Sequence, residues 1–168
     1  MTAQPPVWLL DVDGVLNANR PGWGAAPRRV FCAGYKIRWA PALIDRIRDI
    51  HRAGLAEIRW STTWNQNLFE LTNLTRHLRM PDLERAFTDR PMSKTWAELK
   101  AEAAVAVLES GRRLVWTDDT EAGVAPDFYP ALAAAQADGR ALLIAPRENK
   151  GLQSEHLDLI DVFCKETI

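Results

Sequence analysis

Four short apolar runs punctuate the chain, at 7–10, 56–60, 114–116 and 141–145. Each is too short for a helix and is bounded by polar residues, so each reads as a buried strand. Between them the apolar spacing changes to a helical period. Leu43, Ile44, Ile47 and Ile50 form one stripe, which predicts a helix over 41–52 with Pro41 in its first turn and Gly54 beyond its end. Leu68, Leu71, Leu74 and Leu78 predict a second helix over 65–78, closed by Pro81. Ser93 is placed to cap a third, from about Lys94 to Glu109, which stops at Ser110-Gly111. An Ala-rich stretch at 130–137 is helical by propensity, and Ser154 can cap a last helix through Phe163. This alternation predicts an α/β fold with a mostly parallel sheet covered on both faces. Residues 17–38 break the pattern. They are rich in Gly, Pro and Arg, and they read as a long loop with a small hairpin at 29–31 and 35–37. A loop of that length in a compact domain is usually functional.

Composition narrows the picture. A length of 168 residues suggests a single domain over 1–168, and 47% apolar residues predict a packed core. The net charge of −1 neither favours nor excludes a polyanionic partner. Cys32 and Cys164 alone make no disulfide framework, so a reduced, cytoplasmic setting is the expectation. The first apolar run stops at Asp11, too short for a signal peptide, and no run is long enough to span a bilayer.

The chemistry lies where the strands end. Asp11-Val12-Asp13-Gly14, Ser61-Thr62-Thr63 and Asp118-Asp119 each follow a predicted strand, and Lys94 opens a helix. In a parallel sheet the strand C-termini share one edge, and ligands bind there. Alternation along the chain puts Asp11 and Asp13 on the same side. Close carboxylates repel, so one must protonate or a cation must sit nearby, and Mg²⁺ suits an all-oxygen site completed by substrate phosphate. Asp118 and Asp119 would complete that site from a neighbouring strand. A carboxylate can also be the nucleophile, and a hydroxyl such as Thr62 and an ammonium such as Lys94 suit the oxygens of a phosphoryl group in transit.

Plainer readings exist for each piece. Asp-x-Asp and Asp-Asp are common in turns, Thr62 is a candidate helix cap, and a lysine is normally solvated. Lys94 in a first helical turn, however, opposes the macrodipole. A calcium loop is excluded, because Val15 and Arg20 stand where that loop needs oxygen ligands. His51, His77 and His156 share no metal-ligand spacing with the cysteines and read as surface groups. Trp64 and Trp96 lie beside the site and are candidates for its rim. A phospho-signalling receiver would use similar groups in another order, with the acidic pair first. A binding module that kept the fold without catalysis is the remaining alternative.

The order Asp-x-Asp-Gly-Val-Leu, strand-end Thr, Lys, Asp-Asp resembles the haloacid dehalogenase (HAD) superfamily from Trp8 to about Ile160. It is most similar to the compact HAD group first described alongside multifunctional RNA-repair proteins. The traits it shares are Asp-Val-Asp-Gly-Val-Leu-Asn at 11–17, Trp-Ser-Thr-Thr-Trp at 60–64, Trp-Thr-Asp-Asp at 116–119, and Gly151-Leu152 leading to His156-Leu157. The resemblance implies a three-layer Rossmann-like fold and a Mg²⁺-dependent phosphatase working through an aspartyl-phosphate. Asp11 matches the nucleophile. Asp13 matches the general acid/base, whose backbone carbonyl also binds metal, and its presence separates phosphatases from dehalogenases. Thr62 and Lys94 match the phosphate-binding hydroxyl and ammonium, with Ser61 the other candidate hydroxyl. Asp118 matches the acidic metal ligand, with Asp119 as ligand or support. Thr63 departs from the smaller residue often found there, which bears on pocket shape.

Neither 11–62 nor 62–94 leaves room for a full cap domain, so the site is expected to be open and screened only by a flap at 17–38. Relatives without a cap tend to act on macromolecular phosphates or to oligomerise. From Gly14 to Leu43 there are five cations, Arg20, Arg28, Arg29, Lys36 and Arg38, and no acid, with Trp23, Phe31, Tyr35 and Trp39 interleaved. Such a flap suits a nucleic-acid end, while a solvated loop pinned by aromatic anchors is the plainer reading. Nucleic-acid terminal phosphates and small phosphate esters both stay open as substrates.

Overall fold

A computed structural model describes residues 4–166. Five parallel strands form the central sheet in the order β5-β4-β1-β6-β7, with β1 at Val7–Leu10, β4 at Glu57–Trp60, β5 at Glu84–Arg85, β6 at Leu114–Thr117 and β7 at Ala141–Ile144. An antiparallel hairpin, β2 (Arg28–Cys32) with β3 (Tyr35–Trp39), stands outside it. The helices are α1 (Pro41–Arg52), α2 (Leu68–Leu78), α3 (Trp96–Glu109), the short α4 (Glu121–Val124), α5 (Pro130–Ala137) and α6 (Ser154–Lys165).

Strands β1 and β6 are buried at every position, as expected for a sheet covered on both faces. Alternation then sorts the core into two layers. Trp8, Leu10, Ile58 and Trp60 face α1, α2 and α6 through Ile47, Leu71, Leu74 and Leu157. Val7, Leu9, Leu114 and Trp116 face α3 and α5 through Ala101, Ala104, Leu132 and Ala135. The result is a three-layer, Rossmann-like α/β fold. Among the described residues no cap domain is inserted, and no helix is long and apolar enough to cross a membrane.

Several boundaries differ from the sequence reading, for local reasons. The expected helix at 65–78 divides into a 3₁₀ turn at Thr63–Gln66 and α2, because Asn67 caps the latter by accepting from the N–H groups of Phe69 and Glu70. Leu68, expected on the buried stripe, is consequently exposed. The third helix starts at Trp96. Its cap is Thr95, not Ser93, through a reciprocal box with Glu98. Gln153, not Ser154, caps α6, and its N–H donates to His156 Nδ1. The hairpin is longer than expected and is fixed to the core by Cys32, Ile37 and Trp39. The loop before it is anchored as well. Trp23 Nε1 donates to the carbonyl of Leu152, and Gly151 approaches the Val15 carbonyl so closely that a Cβ there would overlap it.

Candidate active site

The register of the sheet builds the site. Leu10 pairs with Trp60 on one side and with Thr117 on the other. The next residues, Ser61, Asp11 and Asp118, therefore stand level at the C-terminal ends of three adjacent strands. Their backbones stay linked: Ser61 N–H donates to the Leu10 carbonyl, and Asp11 N–H to that of Thr117. By parity all three side chains lie on the α3 face, continuing the rows of Leu9 and Trp116.

There they meet a lysine. Lys100, in the second turn of α3, donates from Nζ to Asp11 Oδ2 at 2.6 Å and to Asp118 Oδ2 at 2.7 Å. The other oxygens are also occupied. Asp11 Oδ1 accepts from Val12 N–H, and Asp118 Oδ1 from the N–H groups of Thr120 and Glu121. Asp119 completes a group of three carboxylates, each offering an oxygen within 4.8 Å of the others. Its carboxyl lies against Gly14, whose φ of +71° and lack of a Cβ make the approach feasible.

Burial sets the electrostatics. It pushes Asp11 up to about 7, opposed by Lys100 and assisted by Asp118. Burial opposes the charge on Lys100, but Asp11 and Asp118 outweigh it and hold the ammonium above the ordinary lysine value. Asp119 is raised by burial and then by Asp118. Three carboxylates and one ammonium leave two negative charges without a partner in this pocket. That deficit, and the all-oxygen donor set, fit a hard divalent cation.

The sequence-derived candidates divide. Asp11, Asp118 and Asp119 come together. Asp13 stands apart, exposed at the rim, and accepts from Trp64 Nε1 at 2.9 Å and Asn17 Nδ2 at 2.8 Å. Lys94 does not reach this group. It precedes α3, and its ammonium pairs with Glu102 at the surface at 2.6 Å. The lysine that reaches Asp11 and Asp118 is Lys100. Its sequence signal is a lysine on the stripe otherwise formed by Ala101, Ala104, Val107 and Leu108. Thr62 is fully buried but lies on the opposite face from Asp11, and its hydroxyl accepts from Trp64 N–H at 3.4 Å as a cap for the 3₁₀ turn. Ser61 is the hydroxyl level with Asp11, and its buried Oγ has no hydrogen-bond partner. Trp96 packs near Phe87 and under the Arg90 guanidinium.

The outward face of the hairpin carries Arg29, Phe31, Lys36 and Arg38, which line a shallow groove with Val30. Arg29 and Arg38 are direct cross-strand partners, as are Phe31 and Lys36. Like charges directly opposite destabilise a hairpin. Among the described residues, no acid forms an ion pair with Arg20, Arg28, Arg29, Lys36 or Arg38.

Comparison with curated proteins finds no match, and comparison with solved structures finds none. The family model for the HAD domain in Swiss Army Knife RNA repair proteins matches residues 7–157. That span runs from β1 into α6 and contains every strand end described above, so the chain belongs to that family of the HAD superfamily, whose members are generally hydrolases.

Proposed function

We propose that this protein is a phosphomonoesterase that works through an aspartyl-phosphate on Asp11. The observation that carries the reading is the level row of Ser61, Asp11 and Asp118 under one lysine, with a charge deficit that a divalent cation would fill. Asp11 attacks phosphorus and displaces the leaving oxygen. Asp13 gives that oxygen a proton, then takes one from the water that hydrolyses the intermediate. Lys100 and the Ser61 hydroxyl face the transferring oxygens, so the proposal moves the ammonium role from Lys94 to Lys100 and the hydroxyl role from Thr62 to Ser61. Mg²⁺, held by Asp11, Asp118 and Asp119 with the Asp13 carbonyl, would neutralise charge on the phosphoryl group.

The substrate class that fits the hairpin is a nucleic-acid terminal phosphate. Three cations on the outward face of the hairpin, Arg29, Lys36 and Arg38, and the exposed rings of Phe31 and Tyr35 on the same flap match a phosphate backbone and unstacked bases. Small phosphate esters are the second reading, because Lys100 and the row of Ser61, Asp11 and Asp118 would engage only the phosphoryl group and not the rest of the ester. A screen with Mg²⁺ over 3′- and 5′-phosphorylated oligonucleotides, nucleotides and sugar phosphates, run on wild type and Asp11→Asn, tests both. Turnover in the wild type alone supports the mechanism. Equal, metal-independent background in both would leave only a binding module. The double change Arg29→Ala/Arg38→Ala should weaken oligonucleotide turnover and reduce its salt slope by about 2, roughly 1 per lost phosphate contact. Unchanged oligonucleotide kinetics would remove the nucleic-acid reading.

A further inference from the structure

Both hydrogen bonds onto Asp13 lead back to the hairpin. Trp64, which donates to Oδ2, is 7% exposed, and its ring meets Tyr35 edge-on with centroids 5.7 Å apart. Tyr35 opens β3 at the hairpin turn. Asn17, which donates to Oδ1, is held by its own Oδ1, which accepts the backbone N–H of Arg38 on β3 at 2.8 Å. The Asn17 carbonyl in turn accepts the N–H of Gly14. An exposed aspartate with no such partners would move among rotamers. Here each oxygen has its own donor, and each donor is fixed by β3.

We propose that Asn17 and Trp64 are positioning residues for Asp13, and that the β2–β3 hairpin holds them in place. The inference rests on the phosphatase reading and extends it to how proton transfer is aligned. Effective acid catalysis needs the donor within hydrogen-bond reach of the departing atom, and small misplacements are costly. As the Asp11–phosphorus bond forms, the bond to the leaving oxygen breaks and its electron pair stays on that oxygen. The proton of Asp13 neutralises it. An aryl leaving group stabilises the pair itself, whereas an alkyl one depends on the proton.

That difference supplies the test. With Mg²⁺ and the full chain, kcat/KM is measured for 4-nitrophenyl phosphate and for the alkyl phosphate that the wild type turns over fastest. Trp64→Phe keeps an aromatic ring on the Tyr35 side and removes the N–H together with part of the indole, and Asn17→Ala frees the other oxygen. Each should lower the alkyl value about tenfold or more while the aryl value stays within about threefold, with the alkyl loss in kcat rather than KM. Tyr35→Ala, at an exposed position where folding is not at stake, should move the ratio the same way by less. Equal losses on both substrates, or none, in a variant that melts like the wild type overturn the inference. If only one core variant folds, it decides together with Tyr35→Ala. An inactive wild type removes the phosphatase reading itself, whereas an active one with an unchanged ratio removes this inference alone.

Discussion

Asp11 and Asp13 stand two residues apart at the end of one strand, and their surroundings share almost nothing. Asp11 is buried on the α3 wall, touches an ammonium, and shares it with a second carboxylate. Asp13 is exposed on the hairpin wall and is held by two neutral donors. The α3 wall concentrates charge out of water, where each pairing is strong and each missing partner is costly. The hairpin wall fixes direction and leaves access open. On the proposed mechanism, the first arrangement suits a nucleophile that meets a dianion, and the second suits a proton carrier that reaches solvent and a departing group.

The largest break in this contrast comes from the shared lysine. Lys100→Met leaves two buried carboxylates facing each other, and urea denaturation at pH 8 without metal should show a loss of about 3–5 kcal/mol. Lys94→Met should leave both the denaturation midpoint and turnover at wild-type values, because that ammonium is paired at the surface. If the two variants behave alike, the α3 wall is not organised by Lys100.

The two neighbouring hydroxyls sharpen the comparison next. Ser61→Ala should lower kcat by about a hundredfold, the usual cost of one donor aimed at transferring charge, with little change in stability. Thr62→Val should do the reverse, costing about 1 kcal/mol as a lost cap while kcat holds. A kcat loss confined to Thr62→Val would return the hydroxyl role to that residue.

The smallest effect is a pH dependence. Asp11 has its value raised from 3.8 to about 7 by burial, so the folded state holds more protons than the unfolded state between those limits. Its contribution to stability is therefore complete below 3.8 and is lost as the pH rises through about 7. Mg²⁺ competes with that proton. The rise in melting temperature on adding Mg²⁺ should be a few degrees larger at pH 8 than at pH 5.5, read by calorimetry. A shift independent of pH would mean that Asp11 does not take part in metal binding.

Four of the five strands were legible as short apolar runs, two of them stopping at Asp11 and Asp118, whereas β5, Glu84–Arg85, has no apolar run and does not read as a strand. The contact of Lys100 with Asp11 and Asp118 was not legible, because it depends on where a helix begins. Ser93 and Thr95 are both plausible caps, and only the Thr95-x-x-Glu98 box decides between them. The choice between Ser61 and Thr62 required parity with Asp11, which follows from inter-strand register and not from local sequence. The clamp on Asp13 joins residues 13, 17, 38 and 64, and no local pattern links them.

The capping box of α3 also determines which mutations this site could survive during evolution. Thr95 fixes the start of the helix, and Lys100 follows five positions later. Removing one residue between them would rotate the lysine by about 100° and swing it off the aspartates. Length variation upstream, in the irregular stretch after β5, would leave its angle untouched. Insertions and deletions among homologous genes should therefore collect before Thr95 and be absent from the five residues that follow it.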